Sequence, residues 1–278
     1  MNTIKISKIA VDNINKYKMF EKAYNDSDSK YDVVYIVKNG DDNVDLKYSL
    51  RSLDKFCNFR NVWIVGYKPS WVQNVNYLAT DQSGDNKWFN SRKNLKAACE
   101  NEGITDDFIL MNDDFVAIRP IIDWKTNLNI YLGDASERSK RYNDKSSNWQ
   151  KGYIYLDELL QILNCKYHYD FEAHIPMIIN KCNFLKMLHM DDVKTYWNDA
   201  TKVFHQRSLY KNLFLEQNEH PKLVKDVKLK RSRDMMSIDV ENVDWISVYD
   251  DVIGNDINYP KLNAFLKNMF PNKCRFEA

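Results

Sequence analysis

Three consecutive polar residues, Asn112, Asp113 and Asp114, follow directly on the apolar run Phe108-Ile109-Leu110-Met111, and apolar residues resume at Phe115. A run of that kind reads as a buried strand, so its end delivers two neighbouring carboxylates to one edge of a sheet. Adjacent carboxylates repel unless positive charge lies between them, and a divalent cation that also binds phosphate oxygens supplies it. The chemistry such a site suits is the departure of a nucleoside diphosphate from a sugar, where a cation offsets the charge developing on the leaving oxygen. The plainer reading is an Asx turn or a cap on the next segment, both common for Asp after a strand.

A strand that carries such residues must be held by others. Residues 31–37 (YDVVYIV) are short, β-rich and almost continuously apolar, and they break at Asn39-Gly40-Asp41-Asp42, which predicts a buried strand ending in a turn. Leu46, Leu50 and Leu53 recur at helical spacing, and residues 62–66 (VWIVG) form a second strand with a glycine stop. A weak strand at 75–78, a helix at 91–100 and the strand at 108–111 make a second unit. This alternation predicts an α/β fold, with ligands bound outside the carboxyl ends of the strands.

Beyond Pro120 the regularity weakens, and residues 133–152 read as a polar, basic, mobile loop able to serve as a lid. From Tyr153 the pattern is mainly helical, with helices expected at 156–163, 182–190, 195–204 and 262–269. The organisation predicted is an N-terminal extension over 1–30, an α/β half over 31–132, and a mainly helical half of the same domain over 133–278.

Lys and Arg total 40 against 39 Asp and Glu, so no global field steers the chain toward nucleic acid or membrane. Local basic stretches at 138–151 and 222–233 are the places where a polyanionic acceptor would be tracked, with solvated surface as the plainer reading of each. Seven Gly and six Pro in 278 residues leave few breakers, which favours abundant regular structure. The five cysteines are odd in number and widely spaced, which fits a reducing, cytoplasmic location. No apolar run has the length of a signal peptide core or a membrane span.

Five pieces in order, DVVYIVKNGDD at 32–42, LKYSLRSL at 46–53, NVWIVGYKPSWV at 61–72, FNSR at 89–92 and FILMNDDFVAI at 108–118, resemble the central region of the Stealth family of capsular-polysaccharide phosphotransferases and related phage glycosyltransferases. EAHIPMIINK at 172–181 resembles that family's His-x-Pro element, and RSLYKNLF at 207–214 and FPNKCRFE at 270–277 resemble later elements of phage relatives. The chain departs from the pattern at Val37-Lys38-Asn39, where a Trp-Val-Asp-like run belongs.

The resemblance implies a GT-A-like, Rossmann-related mixed sheet flanked by helices, with the half over 31–132 binding a nucleotide sugar and the half over 133–278 binding the acceptor. It also implies a metal-dependent glycosyltransferase of bacterial or phage origin, moving a sugar from a nucleotide-diphosphate donor, UDP-sugar first, to a hydroxyl on a surface glycan or a phage-modified DNA base. Mn²⁺ or Mg²⁺ is the implied cofactor. Carried over position by position, Val37, Asn39 and Asp41 face the base and ribose, and Arg51, Asn90 and Arg92 contact the diphosphate or acceptor. Asp114 binds the metal directly, Asp113 binds it or a sugar hydroxyl, and Asn112 orients both. His174 completes the metal sphere or moves a proton, since imidazole does both near neutrality. Asp170 and Glu172 are candidates for the base that deprotonates the acceptor. His205 and Arg207 read as surface residues able to reach the diphosphate. The competing readings are sugar 1-phosphate transfer, and a catalytically idle protein that binds nucleic acid or glycan.

Overall fold

The run at the start of the first motif becomes β1 (Asp32–Val37), every residue of which is buried. A strand covered on both faces belongs in the middle of a parallel sheet. The computed structural model describes residues 30–40, 42–83, 86–229, 243–248, 252–255 and 258–278. All of the expected N-terminal extension except Lys30 lies outside the described residues, as do Asp41 and the end of the second basic stretch. β1 pairs in parallel with β2 (Val62–Gly66) and β4 (Asp107–Asn112), and β3 (Asn76–Ala79) pairs in parallel with β2. β7 (Met177–Asn180) adds an antiparallel edge beside β4, which gives the order β3-β2-β1-β4-β7.

Successive side chains of a strand point to opposite faces, and β1 therefore feeds two cores. Val33, Tyr35 and Val37 pack with Leu46, Leu50 and Leu53 of α1 (Val44–Phe56), whereas Val34 and Ile36 pack with Leu95 and Ala98 of α2 (Lys87–Glu100). Asn43 caps α1 by accepting from Leu46 N at 3.2 Å, and Asn86 caps α2 by accepting from Trp88 N and Phe89 N. That cap starts α2 earlier than the predicted Ser91. Because each helix follows a strand, both N-termini lie at the carboxyl edge of the sheet. At the opposite edge, buried Asp32 accepts from Asn61, Trp63 and Thr105 and ties the loops beneath β1 together.

The second half is mainly helical, as expected. After α3 (Trp124–Leu128), which ends the first half, it holds α4 (Ala135–Ser139), α5 (Asn148–Ile162), α6 (Lys181–Leu188), α7 (Asp191–Trp197), α8 (Gln206–Phe214) and α9 (Pro260–Met269). Two small sheets accompany them. In one, β5 (Phe115–Ala117) pairs antiparallel with β10 (Trp245–Val248), which pairs with β9 (Lys228–Leu229); in the other, β6 (Ile130–Tyr131) pairs with β8 (Lys222–Leu223). The predicted class, a mixed α/β sheet flanked by helices with a mainly helical C-terminal half, is the one the chain adopts.

Two local expectations are corrected. Residues 133–152 are not a loop: they hold α4 and the first turn of α5. Asp134 caps α4, Ser147 and Gln150 form a capping box on α5, and Ser139 Oγ donates to Asp157 Oδ2 at 3.0 Å. The helix expected over 195–204 instead ends at Trp197, because the carbonyls of Tyr196, Asp199 and Lys202 turn inward to Arg92. Among the described residues no helix is long and apolar enough to cross a membrane.

Candidate active site

The carboxyl ends of β1 and β4 open into a cleft of about 470 Å³, within the range of small-molecule sites. β1 contributes Lys38 and Asn39 just beyond its last residue, and β4 contributes Asn112 followed by Asp113 and Asp114. The first turns of α2 supply Lys87, Trp88, Asn90 and Ser91, and α8 supplies Gln206 and Arg207. Glu172, His174, Trp149 and Lys228 complete the wall on the side of the second half. A larger hollow of about 740 Å³ lies at the amino ends of the strands, lined by Lys30, Asp106, Asp107, Asp123 and Lys125 among others. We take the smaller cleft as the site because it lies where strand ends and helix N-termini converge.

Asp114 is fixed by the small sheet that starts beside it. Its carbonyl accepts from Val248 N at 3.3 Å, and its Oδ2 accepts from Ser247 Oγ at 2.6 Å and from Lys228 Nζ at 3.1 Å. Asp113 Oδ2 accepts from Asn43 Nδ2 at 3.2 Å, so the residue that caps α1 also anchors the second carboxylate. The positive end of that helix favours an anion there.

Glu172 is nearly buried and lines the cleft at the start of α8, where the first N–H groups of a helix lack partners. Its Oε1 accepts from both Ser208 N and Ser208 Oγ at 3.0 Å, and its Oε2 lies 3.9 Å from His205 Nδ1. His205 is 1% exposed, not a surface residue. Its Nε2 lies 3.0 Å from the Trp149 carbonyl, which requires that nitrogen to be the donor, and burial pushes its pKa below the ordinary value. Gly152 makes room for it, since a Cβ there would come within 2.7 Å of His205 Nε2. Arg207 is half-buried in the wall of the cleft rather than on the open surface. Its Nη2 donates to the Ile175 carbonyl, its guanidinium lies 5.7 Å from the Phe115 ring centre, and its Nε is buried without a hydrogen-bond partner. Desolvation lowers its pKa, against the pull of Glu172, Asp114 and Asp226.

His174 Nδ1 lies 2.9 Å from both carboxylate oxygens of Asp226. Burial works to raise the Asp226 carboxyl, but the hydrogen bond and charge of His174 outweigh it, and its pKa falls below the usual range. The pair is an imidazole oriented by a carboxylate at the rim of the cleft.

Of the residues singled out in the sequence, Asn39, Asn90, Asn112, Asp113, Asp114, Glu172 and His174 line this cleft together. Four others lie elsewhere. Val37 has its side chain in the core, and its carbonyl accepts from Tyr67 N and Gln82 Nε2. Arg51 is held by Glu277 through Nε at 2.6 Å and Nη2 at 2.7 Å and by the Phe270 carbonyl, so it clamps the C-terminal segment onto α1. Arg92 is 1% exposed, and its Nη1 and Nη2 donate to the carbonyls that turn the chain at the end of α7, while its buried Nε has no hydrogen-bond partner. Asp170 is 1% exposed and paired with Arg138, whose guanidinium lies 4.3 Å from the Tyr153 ring centre. Burial raises its carboxyl against the pull of Arg138.

The expected metal set of Asp113, Asp114 and His174 does not gather. Among the described residues no group of three or more His, Cys, Asp or Glu side chains is placed to hold an ion. His174 is turned to Asp226, Asp113 to Asn43, and the charge beside Asp114 is the ammonium of Lys228. Arg207, read in the sequence as a surface residue able to reach the diphosphate, lines the cleft, whereas Lys228, Asp226 and Ser247 were not distinguished by the sequence. The basic stretch at 222–233 was the available signal for Lys228, while Ser247 sits among the three apolar residues of β10 with nothing to mark it.

No protein-family model matches the chain, and no curated protein sequence matches it. Among solved structures the chain is similar to mouse xyloside xylosyltransferase 1 in its apo form, with a TM-score of 0.39 and 8% identity over 72% of this chain and 87% of that one. A likeness at that level carries no argument about what this chain does.

Proposed function

We propose that this protein is a glycosyltransferase whose nucleotide-sugar donor binds in the cleft at the carboxyl ends of β1 and β4. The observation that carries this reading is the arrival of Asn112, Asp113 and Asp114 at the end of a central parallel strand, facing Glu172 and His174 across one cleft. A parallel sheet with an antiparallel edge and an acidic motif after an inner strand is consistent with a GT-A-like fold. The ordered motifs that resemble those of the Stealth family and related phage glycosyltransferases point the same way.

In this reading the base and ribose lie against Lys38, Asn39 and Trp88, and the sugar hydroxyls are read by Asp113 and Asp114. The acceptor enters from the side of Trp149 and His174. Asp226 holds Nδ1 of His174, which leaves Nε2 to take the acceptor proton. As that proton moves, the acceptor oxygen bonds to the anomeric carbon. The bond from that carbon to the diphosphate oxygen breaks, and its electron pair leaves with the diphosphate.

The test is to incubate the protein with a panel of nucleotide sugars, UDP-sugars first, with and without Mn²⁺ or Mg²⁺, and to identify the nucleotide released. Release of a nucleoside diphosphate, reduced by roughly a hundredfold or more in Asp114→Ala, is the expected result. Release of a nucleoside monophosphate would move the assignment to sugar 1-phosphate transfer. Absence of release with glycan or DNA acceptors present would sink the transferase reading.

A further inference from the structure

The cation beside Asp114 belongs to the chain itself. Lys228 reaches Asp114 Oδ2 at 3.1 Å from β9, whose register sets Lys228 opposite Ser247, the residue that donates to the same oxygen. The lysine side chain is 17% exposed and lines the cleft. An ammonium has three donors and can bridge a carboxylate and a phosphate oxygen. A second cation, Arg207, lines the same cleft from the first turn of α8, over the ring of Phe115, the residue after Asp114. Its buried Nε has no hydrogen-bond partner, and a guanidinium binds phosphate oxygens through charge-assisted hydrogen bonds.

We infer that Lys228 and Arg207 form the site for the donor's diphosphate, with the Lys228 ammonium standing at Asp114 where a divalent ion would otherwise stand, so that the nucleotide is held without metal. The inference rests on the cleft being the donor site. Asp114 then serves to hold Lys228 in position. As the glycosidic bond breaks, the electron pair arriving on the diphosphate oxygen is met by the ammonium and the guanidinium.

The test is calorimetric titration with inorganic pyrophosphate and with nucleoside diphosphates, in EDTA and again in Mg²⁺ or Mn²⁺. The expected result is binding in EDTA that Lys228→Met and Arg207→Met each weaken by roughly tenfold or more, the loss of one charge-assisted contact. Lys228→Arg should retain most of it. The double variant Asp114→Asn/Lys228→Met removes both charges at once and serves if the single lysine change prevents folding. Binding only with metal, binding in EDTA that survives these substitutions, or no binding in either buffer would overturn the inference. The two readings fail separately. Pyrophosphate bound through these residues with no nucleotide sugar consumed leaves the anion site and removes the transferase. Turnover that stops in EDTA keeps the transferase and removes the metal-free site.

Discussion

Buried ionisable groups gather in the wall behind the cleft, and their protonation links chemistry to stability. His205 is held neutral by burial, facing Glu172, Asp170 and Arg138, with its Nε2–H donating to the Trp149 carbonyl. Its folded pKa is lowered, so as pH falls below about 6.5 the unfolded chain takes up a proton that the folded chain refuses. Stability is full above that pH and is lost below it, by up to about 1.4 kcal/mol per pH unit for this group. Asp170, raised by burial, works in the opposite sense at more acidic pH. Thermal melting at about pH 7.5 and about pH 5.5 should show a fall in wild type that His205→Gln flattens. Equal falls in the two proteins would remove His205 as the source. The polar roles were only partly legible. Arg51 and Arg92 look in sequence like any phosphate-binding arginine, and what assigns them otherwise is a partner far along the chain, Glu277 for one and the carbonyls after α7 for the other.

Among the elements, β1, β2 and β4 were readable because a strand buried on both faces must be almost wholly apolar, and the two helices between them carry an apolar stripe. β7 and β10 were not readable, since four residues, three of them apolar, have no period that separates strand from helix. The same limit hid the small sheet that sets Asp114, for Ser247 and Lys228 reach it from 133 and 114 residues away. The end of β2 shows how closely the elements meet beside the cleft. Gly66 has φ +112°, and a Cβ there would lie 2.3 Å from the Val37 carbonyl oxygen and 2.4 Å from Gln82 Nε2. Gly66→Ala should destabilise the fold by at least about 1–3 kcal/mol in urea unfolding. It should also weaken donor binding, because Gln82 and Asn94 of the cleft must shift. An unchanged midpoint would show that the turn tolerates a side chain.

At the scale of the molecule, the two halves of the chain build one site. The first half supplies the sheet ends with Lys38, Asn39, Asp113 and Asp114; the second returns Glu172, His174, Arg207 and Lys228 to the same cleft. The second half also completes the first, by lending β7 to the main sheet and β10 to β5. The central claim is that a nucleotide sugar occupies this cleft with its diphosphate beside Asp114. Diffraction from crystals grown with the nucleoside diphosphate released in turnover tests it most directly. The account predicts density for the base beside Asn39 and Trp88 and for the phosphates beside Lys228 and Arg207. Nucleotide density elsewhere, or phosphates turned away from Asp114, would contradict it.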